Sequence, residues 1–181
     1  MISDPSAHDG DVRDCDVVAE QLSGDATFPN NKRLPALVYR GAFVFSGDDS
    51  AAAIERVFLR NGWGGSWRNG IYDYHHYHST AHEVLGVADG TARVQLGGDS
   101  GTVFEVEGGD AIVIPAGVAH KNLGSSSDFL VVGAYPAGQD WDMMYGRASE
   151  RPRADRNIEQ TPLPQADPIF GAEGPLMERW D

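Results

Sequence analysis

Two stretches decide the fold of this chain: GIYDYHHYHSTAHEVLGVADG, Gly70–Gly90, and GDAIVIPAGVAH, Gly109–His120. They carry three imidazoles and one carboxylate, His76, His78, Glu83 and His120, punctuated by glycine and proline. His76 and His78 are two residues apart, so on a strand both project to the same face. Glu83 belongs to the next strand and His120 to one further on. Only a closed or rolled sheet brings all four to one point. Neutral imidazoles with one carboxylate suit divalent Fe, Mn, Ni, Co, Zn or Cu, and sulfur-preferring centres are excluded. Four protein ligands leave two octahedral positions open for water, O₂ or a bidentate substrate.

Strand parity sorts the neighbours. Glu83 alternates with Leu85 and Val87, whereas His82 alternates with Val84. Parity therefore favours Glu83 as the fourth ligand and keeps His82 as the alternative. His75 has the opposite parity to His76 and is expected to face away. His8 lies in a polar leader and is expected to be inert. A buried carboxylate among imidazoles is costly unless a cation accompanies it.

Outward from these stretches, glycine-punctuated strands are expected over Ile71–His78, His82–Ala88, Ala92–Leu96, Val103–Val106, Ala111–Ile114, His120–Leu123 and Phe129–Tyr135. Their connectors are rich in Gly, Asp and Ser, which is turn chemistry. Upstream, Pro35–Phe45 reads as a strand. Asp48, Asp49 and Ser50 offer caps to one long helix that carries Ile54, Val57 and Phe58 and ends at Asn61 and Gly62. Trp63–Asn69 reads as a loop. Short strands at regular spacing indicate an all-β sandwich or barrel. The expected fold is all-β, a jelly-roll double-stranded β-helix with one helix in its N-terminal half and irregular flanking arms. The expected divisions are a polar arm over 1–26, either flexible or ordered by packing on the body or a partner chain, a barrel over 27–140 and a Pro-rich extension over 141–181 that packs on it.

Composition narrows the class. The chain has 181 residues, enough for one well-cored domain, and a formal net charge of −13. Such a surface repels phosphate backbones, so no nucleic-acid partner is expected. No apolar run is long enough for a membrane helix. The acidic N-terminus lacks the apolar core of a secretory signal, so a cytoplasmic location is expected. Cys15 is the sole cysteine, which excludes an internal disulfide and a thiolate metal site.

The two stretches resemble the two conserved motifs of the cupin superfamily. Gly70-(five residues)-His76-Tyr77-His78-(four residues)-Glu83-(six residues)-Gly90 is similar to the first. Gly109-(five residues)-Pro115-Ala116-Gly117-(two residues)-His120 is similar to the second. The asparagine usually found four residues after the last histidine is replaced here by Gly124, with Asn122 nearby. More narrowly, Tyr74–Glu83, Gly133–Pro136 and the Asp167–Leu176 tail resemble small bacterial cupins of uncharacterised function, the YjlB-like group. The resemblance implies a homodimer. It puts His76, His78, Glu83 and His120 on one divalent transition metal.

Around that site Tyr72 and Tyr74 share the parity of the histidines. Arg68 can bind a carboxylate bidentately. Trp63 and Trp67 are expected to pack, Lys121 to point outward, and Arg40 is a weaker anion-binding candidate. The expected function is a metal-dependent enzyme, dioxygenase- or isomerase-like, acting on a small polar or acidic molecule that Tyr74 or Arg68 orients. The alternative is a non-catalytic small-ligand-binding or sensor protein.

Overall fold

The computed structural model describes residues 11–181. His8 and the start of the expected arm lie outside them. Nine strands are described: β1 (Asp16–Glu20), β2 (Ala36–Arg40), β3 (Trp63–Asn69), β4 (Glu83–Asp89), β5 (Thr91–Leu96), β6 (Thr102–Glu107), β7 (Ala111–Ile114), β8 (His120–Ser125) and β9 (Leu130–Pro136). Six form one sheet in the order β1-β2-β7-β4-β9-β3, and three form a second, β6-β5-β8. All these pairings are antiparallel, and the order is jelly-roll-like.

The burial patterns explain the layering. β4 and β7 are buried on both faces, whereas β5 alternates exposed and buried. One core lies between the sheets and contains Val38, Leu85, Val87, Val94, Leu96, Ile112 and Ile114. The other covers the outer face of the larger sheet, where Leu37, Tyr39, Val84 and Val113 meet helix α1 (Ser50–Arg60) and the C-terminal Ile169, Leu176 and Trp180. Each β4 residue thus enters one core or the other by parity. α1 is capped by Asp49, whose side chain accepts from Ala52 N, and Ile54, Val57 and Phe58 are buried beneath it.

Four expectations need correction. Trp63–Asn69 is a strand, not a loop. It pairs with β9 across a bulge between Gly64 and Trp67, and Gly-Gly-Ser inside it hides the pattern. Ile71–His78 is an extended segment rather than a strand. It has single-residue bridges only, His76 to His120 and Tyr77 to Met144. The expected polar arm contributes β1, which pairs with β2 and packs Val17 and Ala19 against the outer core. The tail is not wholly irregular. It contains a 3₁₀ turn (Ala148–Glu150), α2 (Arg153–Gln160) and α3 (Pro175–Arg179). α2 buries only Ala154, and its flank is held by the Arg151–Asp155 ion pair at 2.7 Å, so no apolar stripe announces it.

The turn before His120 depends on Gly117. Its φ is +94°, and a Cβ there would stand 2.3 Å from the Asn30 carbonyl oxygen. Gly117→Ala is expected to destabilise the fold by about 2 kcal/mol or more. Thermal unfolding is expected to shift down by roughly 4–8 °C for a chain of this size.

Candidate metal centre

His76 and His78 come from the extended segment, which is fixed by backbone bonds to the second motif. His76 N donates to His120 O (3.2 Å), His120 N to His76 O (2.9 Å), and Gly117 N to His78 O (2.7 Å). The rings meet accordingly: His76 and His120 centroids are 4.0 Å apart, and His76 and His78 5.9 Å. The ligand atoms of His76, His78 and His120 lie within 4.8 Å of one another, and all three residues are buried.

The hydrogen bonds set the tautomers. Each Nδ1 faces a main-chain carbonyl: His76 that of Tyr74 (3.0 Å), His78 that of Asp142, and His120 that of Val118 (3.1 Å). A carbonyl only accepts, so each Nδ1 carries hydrogen and each neutral ring presents a bare Nε2. Glu83 Oε2 lies 3.2 Å from the Nε2 atoms of both His78 and His120. It is buried and has no hydrogen-bond partner. Bare imidazole nitrogens and a carboxylate oxygen thus crowd together with no donor between them, as a cation site requires.

Protonation follows from this crowding. Burial, helped by His120, pushes His76 down to about 3. Burial opposes charge on Glu83, but His78 and His120 outweigh it and hold the carboxyl well below its usual range. Burial also disfavours charge on His78, but Glu83 wins and raises it.

Glu83 is held from its other side. Tyr135 Oη donates to Glu83 Oε1 (3.2 Å) and accepts from Trp67 Nε1 (2.8 Å). Burial, reinforced by Glu83, raises the Tyr135 phenol above its ordinary value, so it stays a donor. His82 faces the opposite core. Its ring lies 4.8 Å from that of Trp180, and its Nδ1 accepts from Ala116 N (2.9 Å). Burial pushes it down to about 4, which keeps it neutral.

The other singled-out residues scatter. Arg68 lines the cavity above the cluster, but Glu55 holds its guanidinium at 2.7 and 3.0 Å and Asp49 adds a contact at 3.4 Å. Tyr72 lines the cavity, and Tyr74 stacks on it at 4.9 Å, with its ring 5.7 Å from that of His76. His75 faces away and meets Asp99 at 2.9 Å. Trp63 is buried and donates to Ala166 O. Arg40 sits in a separate cleft with Asp110. Asn122 accepts from Gly124 N within β8. Burial raises the Cys15 thiol to about 11, too high for a reactive thiolate at neutral pH.

Sequence reasoning missed Tyr135, Trp141, Asp142 and Met143. Alternation along β9 offered a signal for the first, since Val131, Gly133 and Tyr135 share a face. Gly133 leaves space for Trp67, whose ring a Cβ there would meet at 2.2 Å. Trp141–Met143 lies in an irregular loop without periodicity. Asp142 nevertheless both accepts from His78 and binds Ser79 N at 2.6 Å.

Two antiparallel sheets in a jelly-roll-like order, holding a buried histidine cluster beneath a cavity, define a β-protein able to coordinate a metal. The chain belongs to the cupin domain family, whose model matches residues 68–131. It is 45% identical to the uncharacterized protein YjlB of Bacillus subtilis (strain 168) over 156 residues, 86% of this chain and 92% of that protein. Among solved structures it is similar to acireductone dioxygenase from Bacillus anthracis, which has a cadmium ion in its active centre. That match has 18% identity, covers 56% of this chain and 71% of that one, and has a TM-score of 0.40. It is also similar to procruciferin, an 11S globulin of Brassica napus, with 21% identity over 61% of this chain and a TM-score of 0.36. The matched part spans 22% of that longer protein. Among the described residues no helix is long and apolar enough to cross a membrane.

Proposed function

We propose that His76, His78, His120 and Glu83 hold one divalent transition metal and that the protein is a metal-dependent enzyme, dioxygenase- or isomerase-like, acting on a small molecule in the cavity above. The observation that carries this reading is the buried cluster of His76, His78 and His120, whose ligand atoms lie within 4.8 Å of one another, with a Glu83 oxygen that lacks a hydrogen-bond partner 3.2 Å from two of them. A metal bound there would supply Lewis acidity or, as Fe(II), O₂ chemistry. The chain's own groups do the rest. The carbonyls of Tyr74, Asp142 and Val118 fix the ring orientations, and Tyr135 holds the second oxygen of Glu83. Arg68, whose guanidinium Glu55 and Asp49 hold in place, and Tyr74, which stacks on the cavity-lining Tyr72, are proposed to position substrate at the rim. In this reading the two sheets act as one jelly-roll barrel, and the protein works as a cytoplasmic homodimer with no nucleic-acid partner.

The test is elemental analysis of untagged protein. The expected result is close to one equivalent of a divalent transition metal per chain, falling below about 0.1 in the His76→Ala/His78→Ala double variant. Sub-stoichiometric metal that the double variant leaves unchanged would overturn the reading. A non-catalytic holder of a small ligand is the second reading. It is favoured by one observation: among the described residues lining the cavity, no carboxylate other than Glu83 and no imidazole outside the cluster is present to move a proton. Conversion of a bound ligand, followed by mass spectrometry, separates the two.

A further inference from the structure

We infer that the cavity takes a molecule built on a single planar ring, uncharged except at an oxygen substituent directed to the metal cluster. This rests on reading the cluster as the metal site that the ligand approaches. Three observations lead there. The first is charge. Among the described residues, the only charged groups lining the cavity are Arg68 and Glu83. The Arg68 guanidinium is taken by Glu55 and Asp49, and Glu83 is engaged by the imidazoles and Tyr135. The nearby Arg147 lies over the Tyr145 ring at 4.6 Å rather than in the cavity lining. Apart from the metal, an anion would find no free cationic side chain, in a chain of net charge −13, and a cation no free carboxylate. A charge carried away from the metal would therefore lose hydration without gaining a partner.

The second is the walls. Tyr72 stacks on Tyr74 beside His76 (rings 5.3 Å apart), and Trp141 stacks on Tyr135 beside His78 (5.7 Å). Tyr72 and Trp141 are each 50% exposed although both line the cavity. Each leaves aromatic surface open to an incoming ring, with Leu85 and Met143 completing an apolar lining. The third is size. The cavity is about 210 Å³. An apolar cavity of about 150 Å³ accommodates benzene, so the enclosed space suits one substituted ring.

The four tryptophans provide a built-in readout. Trp67 and Trp141 line the cavity. Trp63 and Trp180 are buried elsewhere, with their indoles bonded to Ala166 O and Pro35 O. The experiment is an NMR titration of the indole N–H signals with phenol, sodium acetate and tetramethylammonium, in wild type and in His76→Ala/His78→Ala. Phenol is expected to shift Trp67 and Trp141, leave Trp63 and Trp180 in place, and do so in both proteins. Trp141→Ala and Tyr72→Ala are each expected to weaken phenol by roughly tenfold, with Trp141→Phe recovering most of the loss. Acetate binding that Arg68→Gln abolishes, tetramethylammonium binding tighter than phenol, or phenol binding indifferent to Trp141→Ala would each overturn the inference. Because the double variant lacks the proposed ligands, phenol binding and metal content fail independently. A protein that binds phenol but no metal refutes the metal centre alone, and one that binds metal but not phenol refutes the ring alone.

Discussion

Glu83→Gln is expected to lower affinity for a divalent transition metal by more than about 100-fold, beyond the 10–100-fold typical of groups that merely support ligands, while the protein stays folded. His82→Ala, one residue away, is expected to do the reverse. The two residues are neighbours in sequence and opposites in space. Glu83 shares its face of β4 with Leu85 and Val87, between the sheets, and its Oε2 lies 3.2 Å from two imidazole nitrogens. His82 shares its face with Val84, in the outer core against Trp180. Glutamine keeps the volume and a carbonyl oxygen for Tyr135 but loses the anion that balances the metal's charge. Alanine at 82 leaves metal binding intact but opens a void beside Trp180 and strands Ala116 N without its acceptor. That is expected to cost about 2–4 kcal/mol. Metal titrations in competition with a chromophoric chelator, paired with urea unfolding, check both halves. Wild-type metal affinity in Glu83→Gln together with its loss in His82→Ala would make His82 the fourth ligand.

That parity could be read from the sequence because β4 is buried on both faces and regular from Glu83 to Val87, so each residue's side there follows from counting. The same rule put His75 opposite His76, where it meets Asp99. It worked although the segment carrying His76 and His78 forms only single bridges, because an extended backbone alternates its side chains with or without a ladder. The rest was hidden for identifiable reasons. β3 contains Gly64, Gly65 and Ser66 and owes its strand conformation to β9, a partner more than sixty residues away. β1 buries only one side of five residues within an Asp-rich stretch. Arg68 looked available as a carboxylate clamp because Glu55, its partner, lies on α1, and no local pattern reveals that α1 delivers it. Trp141 and Asp142 reach the histidines from a loop, and loops carry no period to count. The ligand set was therefore legible, whereas the cavity walls that choose a ligand were assembled by tertiary contacts.

The largest stability loss is expected at Asp167, far from any metal. It is fully buried, and its carboxylate gathers a strand, a loop and a short helix. Oδ2 accepts from Tyr39 Oη (2.6 Å) on β2 and Leu176 N (3.0 Å) on α3, and Oδ1 from Ile169 N (2.8 Å) and Phe170 N (2.9 Å). Burial, then the Asp167 charge, raises Tyr39 far above an ordinary phenol, so the hydroxyl remains a donor at every accessible pH. Asp167→Ala removes the acceptor of three buried donors and of the partly buried Phe170 N. Each orphaned group costs about 1–3 kcal/mol, and partial relaxation brings the total to roughly 3–5 kcal/mol. At this chain length a loss of about 4 kcal/mol lowers Tm by roughly 8–16 °C. Tyr39→Phe removes only one of the four bonds and is expected to cost about 1–2 kcal/mol. If the network acts as a unit, Asp167→Ala in a Tyr39→Phe background costs less than in wild type, and a double-mutant cycle measured by urea unfolding reads that difference. Additive losses would mean that Tyr39 and Asp167 act separately. The effect should reach the site's scaffold as well. The segment that Asp167 secures ends in Trp180, whose ring covers His82, and His82 in turn holds the Ala116 turn that leads into His120. Loosening that segment should therefore speed hydrogen exchange at Ala116 N before it affects the strands β5 and β6 of the smaller sheet.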